Sequence, residues 1–284
     1  MNAKFLSVLA HWRDRLTVPQ FTVITGLIVI VIGTFLLASP WCSSDEVGLW
    51  QALFTVTSAI TVTGLSIIVV DRDLTLIGQI VLAGLILTGG LGLMAITTFL
   101  QGFVQGRSGL RQRLDKGRAL DEFGVGGIGP TFKGILICAA WVMGLGAAVL
   151  YFFGFNDIQN PAARLWASIF HVISAYNNAG FGLWAKNLEA YRDNTVVNIV
   201  IALMIVIGGI GWWVSNDIWV NRKRFSSHRH LSLHTRLVLR TTVALIVVGC
   251  LGLIFTEHFG LEAGAISKFS FLQKIQISLF QSIT

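Results

Sequence analysis

The sequence predicts an all-α polytopic membrane protein built from tandem repeats, and three observations carry that prediction. Hydrophobic residues make up 54% of the 284-residue chain and charged residues only 12%, against about 25% charged in an ordinary soluble domain. The apolar residues fall in blocks of the length, about 20 helical residues, that crosses a hydrocarbon core. A 17-residue stretch also returns 116 positions later without a gap.

Five blocks read as spanning helices: Val18–Ala38, Leu74–Leu100, Phe132–Phe153, Val196–Val220 and Leu237–Phe255. The first follows Lys4, Arg13 and Arg15 and superficially resembles a secretory leader. It is longer than the usual leader core and four spans follow it, so it is expected to be retained. Trp12, Trp41, Trp50 and Trp184 lie near span ends, where aromatic rings favour the membrane interface.

The charge distribution sets the orientation. Of 21 Lys and Arg, three precede the first span, six lie between Arg107 and Lys133, and six between Arg222 and Arg240. Even numbers of spans separate these segments, so all 15 fall on one side, while the other side holds six basic and nine acidic residues. Basic residues accumulate on the cytoplasmic face, which puts the N-terminus in the cytoplasm. The net charge of +7 is thereby accounted for, and no nucleic-acid partner is expected. Anionic lipid headgroups or a cytoplasmic partner suit the basic stretch around His228, His230 and His234.

The repeated stretch lies between spans one and two (residues 49–65) and again between spans three and four (residues 165–181). Leu, Trp, Phe, Val, Ser, Ala and Gly coincide at seven of the 17 positions. Each copy precedes a span containing Gly-Gly-aliphatic-Gly, at Gly89–Gly92 and Gly208–Gly211. A fixed-period repeat makes the unit helix, half-helix with loop, helix. Non-helical backbone at membrane depth survives only inside protein or beside a wet cavity. A half-helix followed by an extended strand ending in Gly suits carbonyl coordination of a dehydrated monovalent cation, and its partially negative C-terminus favours a cation there. The segments with that position and length are Thr61, Val62, Thr63 and Gly64, and Asn177, Asn178, Ala179 and Gly180, each expected to act through its backbone.

At these residues the chain resembles the Trk/Ktr/HKT superfamily of cation transporters, most nearly the membrane subunit of bacterial Ktr potassium uptake systems. The resemblance rests on Thr57–Leu65 and Phe170–Phe181, with Asp73–Gln79 and Leu233–Arg236 as further family-like segments, and runs from about residue 20 to the end. It implies a potassium-channel-like fold of four helix–pore-loop–helix repeats around one pore, each supplying one filter segment. It also implies potassium as cargo with no cofactor and glycine filter ends of the potassium-selective kind. Separately, nothing in the sequence resembles a nucleophile with its base, so no enzymatic chemistry is expected. Further implications of the resemblance are a homodimer, a cytoplasmic nucleotide-binding regulatory subunit and a bacterial inner-membrane location.

The domain reading is a cytoplasmic N-terminus (1–17), a first repeat (18–100), a cytoplasmic loop (101–131), a second repeat (132–220), a basic cytoplasmic loop (221–236) and an incomplete third repeat (237–284). Leu279-Phe280 aligns with Leu53-Phe54, so by periodicity a third filter glycine is expected about six residues past Thr284. The chain is therefore expected to be a truncated product. The alternative function is a non-conducting remnant or a partner-binding membrane protein.

Other motifs carry less. Cys42, Cys138 and Cys250 have no metal-ligand spacing and read as small apolar residues. His228, His230 and His234 sit among cations and read as a solvated loop, with no resident metal expected. The Gly-rich run Phe123–Pro130 lacks the residues of a phosphate-binding loop and reads as a flexible connection. Asp217, near a span end, reads equally as a pore-mouth carboxylate or as a satisfied interfacial one.

Overall fold

The computed structural model describes residues 18–44, 47–90, 92, 128–221, 231–259 and 270–284. Among these residues the fold is helical throughout, with one isolated antiparallel bridge between Ser43 and Leu74. The chain forms two compact units, Met1–Ala140 and Trp141–Thr284.

In the first unit, α1 (Val18–Leu37), α2 (Leu49–Ile60) and α4 (Leu76–Gly90) pack mutually, and the short α3 (Val70–Asp73) leads into α4. The packing of α1 is inside-out relative to a soluble helix. Val23, Leu27, Val31 and Phe35, with Ile24, Ile28, Ile32 and Leu36 beside them, form an exposed apolar stripe at helical spacing. The buried face carries the small residues Gly26, Gly33 and Thr34, with Leu37 buried at its C-terminal end. A Cβ on Gly33 would come within 2.9 Å of Val56, so its absence lets α1 approach α2 closely. Small residues at helix contacts and large apolar ones outside are what lipid demands.

Helix α5 (Ile128–Val149), which belongs to the second unit from Trp141 onward, continues through one π turn, Leu150–Gly154. Next come α6 (Pro161–Tyr176), α7 (Thr195–Gly209), α8 (Gly211–Asn221), α9 (Leu233–Phe259) and α10 (Phe271–Ile283). Asn160 caps α6, its Oδ1 accepting from the Ala162 amide at 2.9 Å, with Pro161 in the first turn. Asn194 caps α7 and also donates through Nδ2 to the Gly154 carbonyl at 2.9 Å, which pins the π turn to the start of α7. Gly134–Gly154 and Leu233–Thr256 are long and apolar enough to cross a membrane, with mean hydropathies of 2.2 and 2.4. Several shorter apolar helices stand in the positions of other expected spans.

Three expectations need correction. The fourth span, Val196–Val220, is not one helix: it breaks at Ile210, because Gly211 takes a left-handed φ of 80° that ends α7 and starts α8. The Gly-rich connection is helical from Ile128, so only its residues 123–127 lie outside the described structure. The basic loop 221–236 ends earlier than expected, since α9 begins at Leu233 and places His234 in its first turn; His228 and His230 lie outside the described residues.

Candidate functional site

The two segments singled out by the repeat adopt the same turn. Helix α2 stops at Ile60, and the next amides fold back onto its last carbonyls: Thr61 N–H donates to Thr57 O (2.9 Å), Val62 N–H to Ala59 O (3.3 Å) and Thr63 N–H to Ser58 O (2.9 Å). Helix α6 stops at Tyr176 and repeats the pattern 116 residues on, with Asn177 to Ile173 (3.2 Å), Asn178 to Ala175 (3.0 Å) and Ala179 to Ser174 (2.8 Å). The crossed pair of bonds around a left-handed residue is a Schellman cap.

The backbone angles match too. Thr61 and Asn177 are right-handed, at φ −84° and −87°. Val62 and Asn178 are left-handed, at 56° and 53°, and Gly64 and Gly180 come next at 81° and 73°. Even the side chains correspond: Thr61 Oγ1 donates to Thr57 O at 2.8 Å, and Asn177 Nδ2 to Ile173 O at 2.7 Å.

This hydrogen bonding has a direct consequence for the carbonyls. In a trans peptide the C=O points opposite to the N–H. With the amides of residues 61–63 turned back toward α2, the carbonyls of Ile60, Thr61 and Val62 point away from it. Those of Tyr176, Asn177 and Asn178 do the same at α6. The first of each trio meets a glycine on the next long helix. A Cβ on Gly89 would overlap the Ile60 carbonyl oxygen, and one on Gly208 would overlap that of Tyr176. The Gly-Gly-aliphatic-Gly runs therefore serve the backbone of the turns.

The TrkH family of cation transport proteins matches residues 11–282. The chain belongs to that family. It is 35% identical over 270 residues to the Ktr system potassium uptake protein B of Bacillus subtilis (strain 168), an alignment covering 95% of this chain and 59% of the relative. It is 32% identical over 232 residues to the protein of the same name in Vibrio alginolyticus (81% and 50%). To the potassium/sodium uptake protein NtpJ of Enterococcus hirae it is 30% identical over 276 residues (96% and 59%). The chain thus spans between half and three-fifths of the length of these relatives. TrkH-family chains are membrane proteins, and the relatives named here are cation-uptake proteins rather than enzymes.

Behind the second turn of this TrkH chain lies an aromatic cluster that reading the sequence missed. His171, fully buried on α6, stacks on Trp184 with centroids 4.6 Å apart and planes at 25°. Phe155 packs edge-on against Trp184 and Tyr191. Tyr191 donates to Asp157 Oδ2 at 2.7 Å, and burial together with that carboxylate pushes its hydroxyl pKa well up. Asn187, left-handed at φ 49°, donates through Nδ2 to the Gly180 carbonyl at 3.0 Å. The available signal was the pair of aromatic residues, Trp184 and Tyr191, in an otherwise polar connection. In the first repeat Thr55 occupies the position of His171, equally buried.

Asp217 resolves to a satisfied carboxylate. Its oxygens accept from Asn221 Nδ2 (2.7 Å), Ser232 N–H (3.0 Å) and Thr235 Oγ1 (2.5 Å), tying α8 to the start of α9. Among the described residues, no group of three His, Cys, Asp or Glu is placed to hold a metal, and Cys42, Cys138 and Cys250 are free thiols.

Proposed function

We propose that this chain contributes two filter segments, residues 61–64 and 177–180, to the ion path of a potassium-uptake transporter. The observation that carries the reading is the identity of the two caps. The same three backbone bonds and the same left-handed positions occur 116 residues apart, on helices too short to cross a membrane. Carbonyls freed from helical bonding and aimed away from a helix C-terminus are the groups that replace the water of a monovalent cation. The helix dipole adds to the attraction. Potassium as the cargo draws support from the names of the relatives, one of which is a potassium/sodium uptake protein.

On this reading each unit contains a helix–pore-loop–helix repeat, and the N-terminus is cytoplasmic, because 15 of the 21 basic residues fall on that side. The membrane is the bacterial inner membrane. The relatives' place in a Ktr system supports a multi-component assembly; we assign the chain to a homodimer docked on a cytoplasmic nucleotide-binding regulatory subunit, with lipid around it.

The test is growth of a potassium-uptake-deficient bacterium on low potassium. The chain is expected to restore growth, and Gly64→Asp and Gly180→Asp to abolish it while the protein still reaches the membrane. Failure of the wild-type chain to support any uptake, or rescue that survives both substitutions, would sink the proposal.

A further inference from the structure

The outer end of the second turn is held by a side chain that belongs to neither the short helix nor the turn itself. Asn187 donates through Nδ2 to the carbonyl of Gly180 at 3.0 Å. Two features look built for that contact. A Cβ on Gly182 would overlap Asn187 Oδ1, so glycine there is what lets the carboxamide lie across the chain. Asn187 itself occupies a left-handed backbone, at φ 49°, which asparagine tolerates better than most residues. Its amide is fixed in turn by the Trp184 carbonyl at 2.9 Å, and Trp184 is stacked on the buried His171 of α6. A chain of contacts therefore runs from the core of the short helix to the last carbonyl of the segment.

The first repeat is built differently. Ser66 stands in the place of Gly182, and its hydroxyl donates to the Ile68 carbonyl at 2.8 Å. The two segments share their caps yet differ in the residues that come after the glycine.

We propose that Asn187 is a selectivity-positioning residue: by holding the Gly180 carbonyl it ends the row of ion-facing oxygens in the second segment at Ala179. The inference rests on the filter reading above and refines it: Gly180 shapes the end of the segment, while its carbonyl oxygen is withdrawn from the ion by Asn187. A carbonyl whose lone pair is committed to a carboxamide N–H is a weaker and more fixed ligand for a cation. Released, the Gly180 peptide is free to turn, because a glycine at φ 73° has mirror-image conformations at little cost. The oxygen count offered to an ion then changes, and that count discriminates potassium from sodium.

Two substitutions test this by different routes. Asn187→Asp preserves shape and left-handed tolerance but replaces the donor with an acceptor. Gly182→Ala leaves Asn187 in the chain, adds no charge and displaces its carboxamide. Each is expected to lower the potassium-over-sodium uptake ratio of cells carrying the full chain by about fivefold, the factor set by one ordinary hydrogen bond. The double variant is expected to fall no further. In the purified full chain, deuterium exchange at the backbone amides of residues 181 and 182 should rise by about fivefold in each variant. Unchanged exchange in both variants, or faster exchange with a wild-type ion ratio, overturns the inference. If the wild-type chain takes up no potassium at all, the filter reading fails; exchange then still decides whether Asn187 holds the Gly180 turn.

Discussion

Gly208 lies directly on the carbonyl oxygen of Tyr176, closer than any side-chain-bearing residue could sit. That oxygen belongs to the last helical residue of α6, two residues before the left-handed Asn178. Gly89 stands in the same relation to Ile60, so a glycine on the next long helix sets the depth of each short helix.

Gly208→Ala and Gly89→Ala should each destabilise the fold by about 1–3 kcal/mol, the usual cost of forcing a methyl into a packed contact. The clash is with backbone, which has no rotamer to yield. Gly252→Ala is the control, because a Cβ at that position in the middle of α9 would meet nothing within 4 Å. It should be neutral or stabilising by about 0.4–1 kcal/mol. Thermal unfolding in detergent compares the three, and equal midpoints for Gly208→Ala and Gly252→Ala would show that the glycine contact does not hold the short helix.

The two caps differ in how well their residues suit the left-handed position. Asn178 is among the few side chains that adopt it readily, whereas Val62 is β-branched and disfavoured there. Exchanging the residue types should therefore act in opposite directions. Val62→Asn should stabilise by up to about 1 kcal/mol, and Asn178→Val should destabilise by about 1–2 kcal/mol. If Val62→Asn stabilises but lowers uptake, the strain at Val62 belongs to the function of the first segment. A destabilising Val62→Asn would contradict the backbone preference on which the exchange rests.

Much of this fold was legible because lipid imposes simple rules. The apolar blocks marked the helices, and the 116-residue offset marked the short helices α2 and α6 together with the segments after them. The left-handed turn at Val62 was not legible, since valine argues against the conformation it adopts. Only Asn178, at the equivalent place, carried a hint. The break at Ile210 was concealed for a similar reason: Gly208–Gly211 sits inside an unbroken apolar run, where glycine also serves helix packing. Asn187 could not be found by pattern at all, because its partner, the Gly180 carbonyl, is a backbone atom present at every residue.

The Asp217 carboxylate joins two helices that the connection between them leaves 11 residues apart in sequence, from Asn221 to Ser232. Ser232 also caps α9, its Oγ accepting from the Thr235 amide at 3.1 Å, so one carboxylate orders both the cap and the helix start. Asp217→Asn retains the shape but loses charge-assisted acceptance and should cost about 1.5–3 kcal/mol locally. Thr235→Val removes one donor and should cost less. Hydrogen exchange at Ser232–Arg236 is the appropriate measurement, with protection expected to fall in the order wild type, Thr235→Val, Asp217→Asn. Equal protection in all three would mean that α8 and α9 are held by apolar packing alone.

Acid stability provides a separate handle on the first unit. Asp73 lies at the C-terminus of α3 and accepts from Arg72 Nε at 2.7 Å and from the Val69 amide at 2.8 Å. The Arg72 guanidinium, with the Val69 amide behind it, holds the carboxyl below its ordinary pKa of 3.8, against the opposing effect of burial. The folded state therefore prefers the ionised form more than the unfolded chain does. Its stabilisation is complete above pH 3.8 and is lost as the pH falls further, through the lower folded value. Asp73→Asn should flatten that part of the stability profile and lower stability at neutral pH, bringing the variant and wild type together toward pH ~2. The same substitution should release the Val69 amide, which exchange measurements on the full chain would report. If wild type and Asp73→Asn instead lose stability in parallel below the ordinary carboxyl pKa of 3.8, the carboxylate has no preferential hold on the folded state. The turn before α4 is then maintained by Gln79, whose Nε2 donates to the Val70 and Leu74 carbonyls at 3.3 and 3.2 Å.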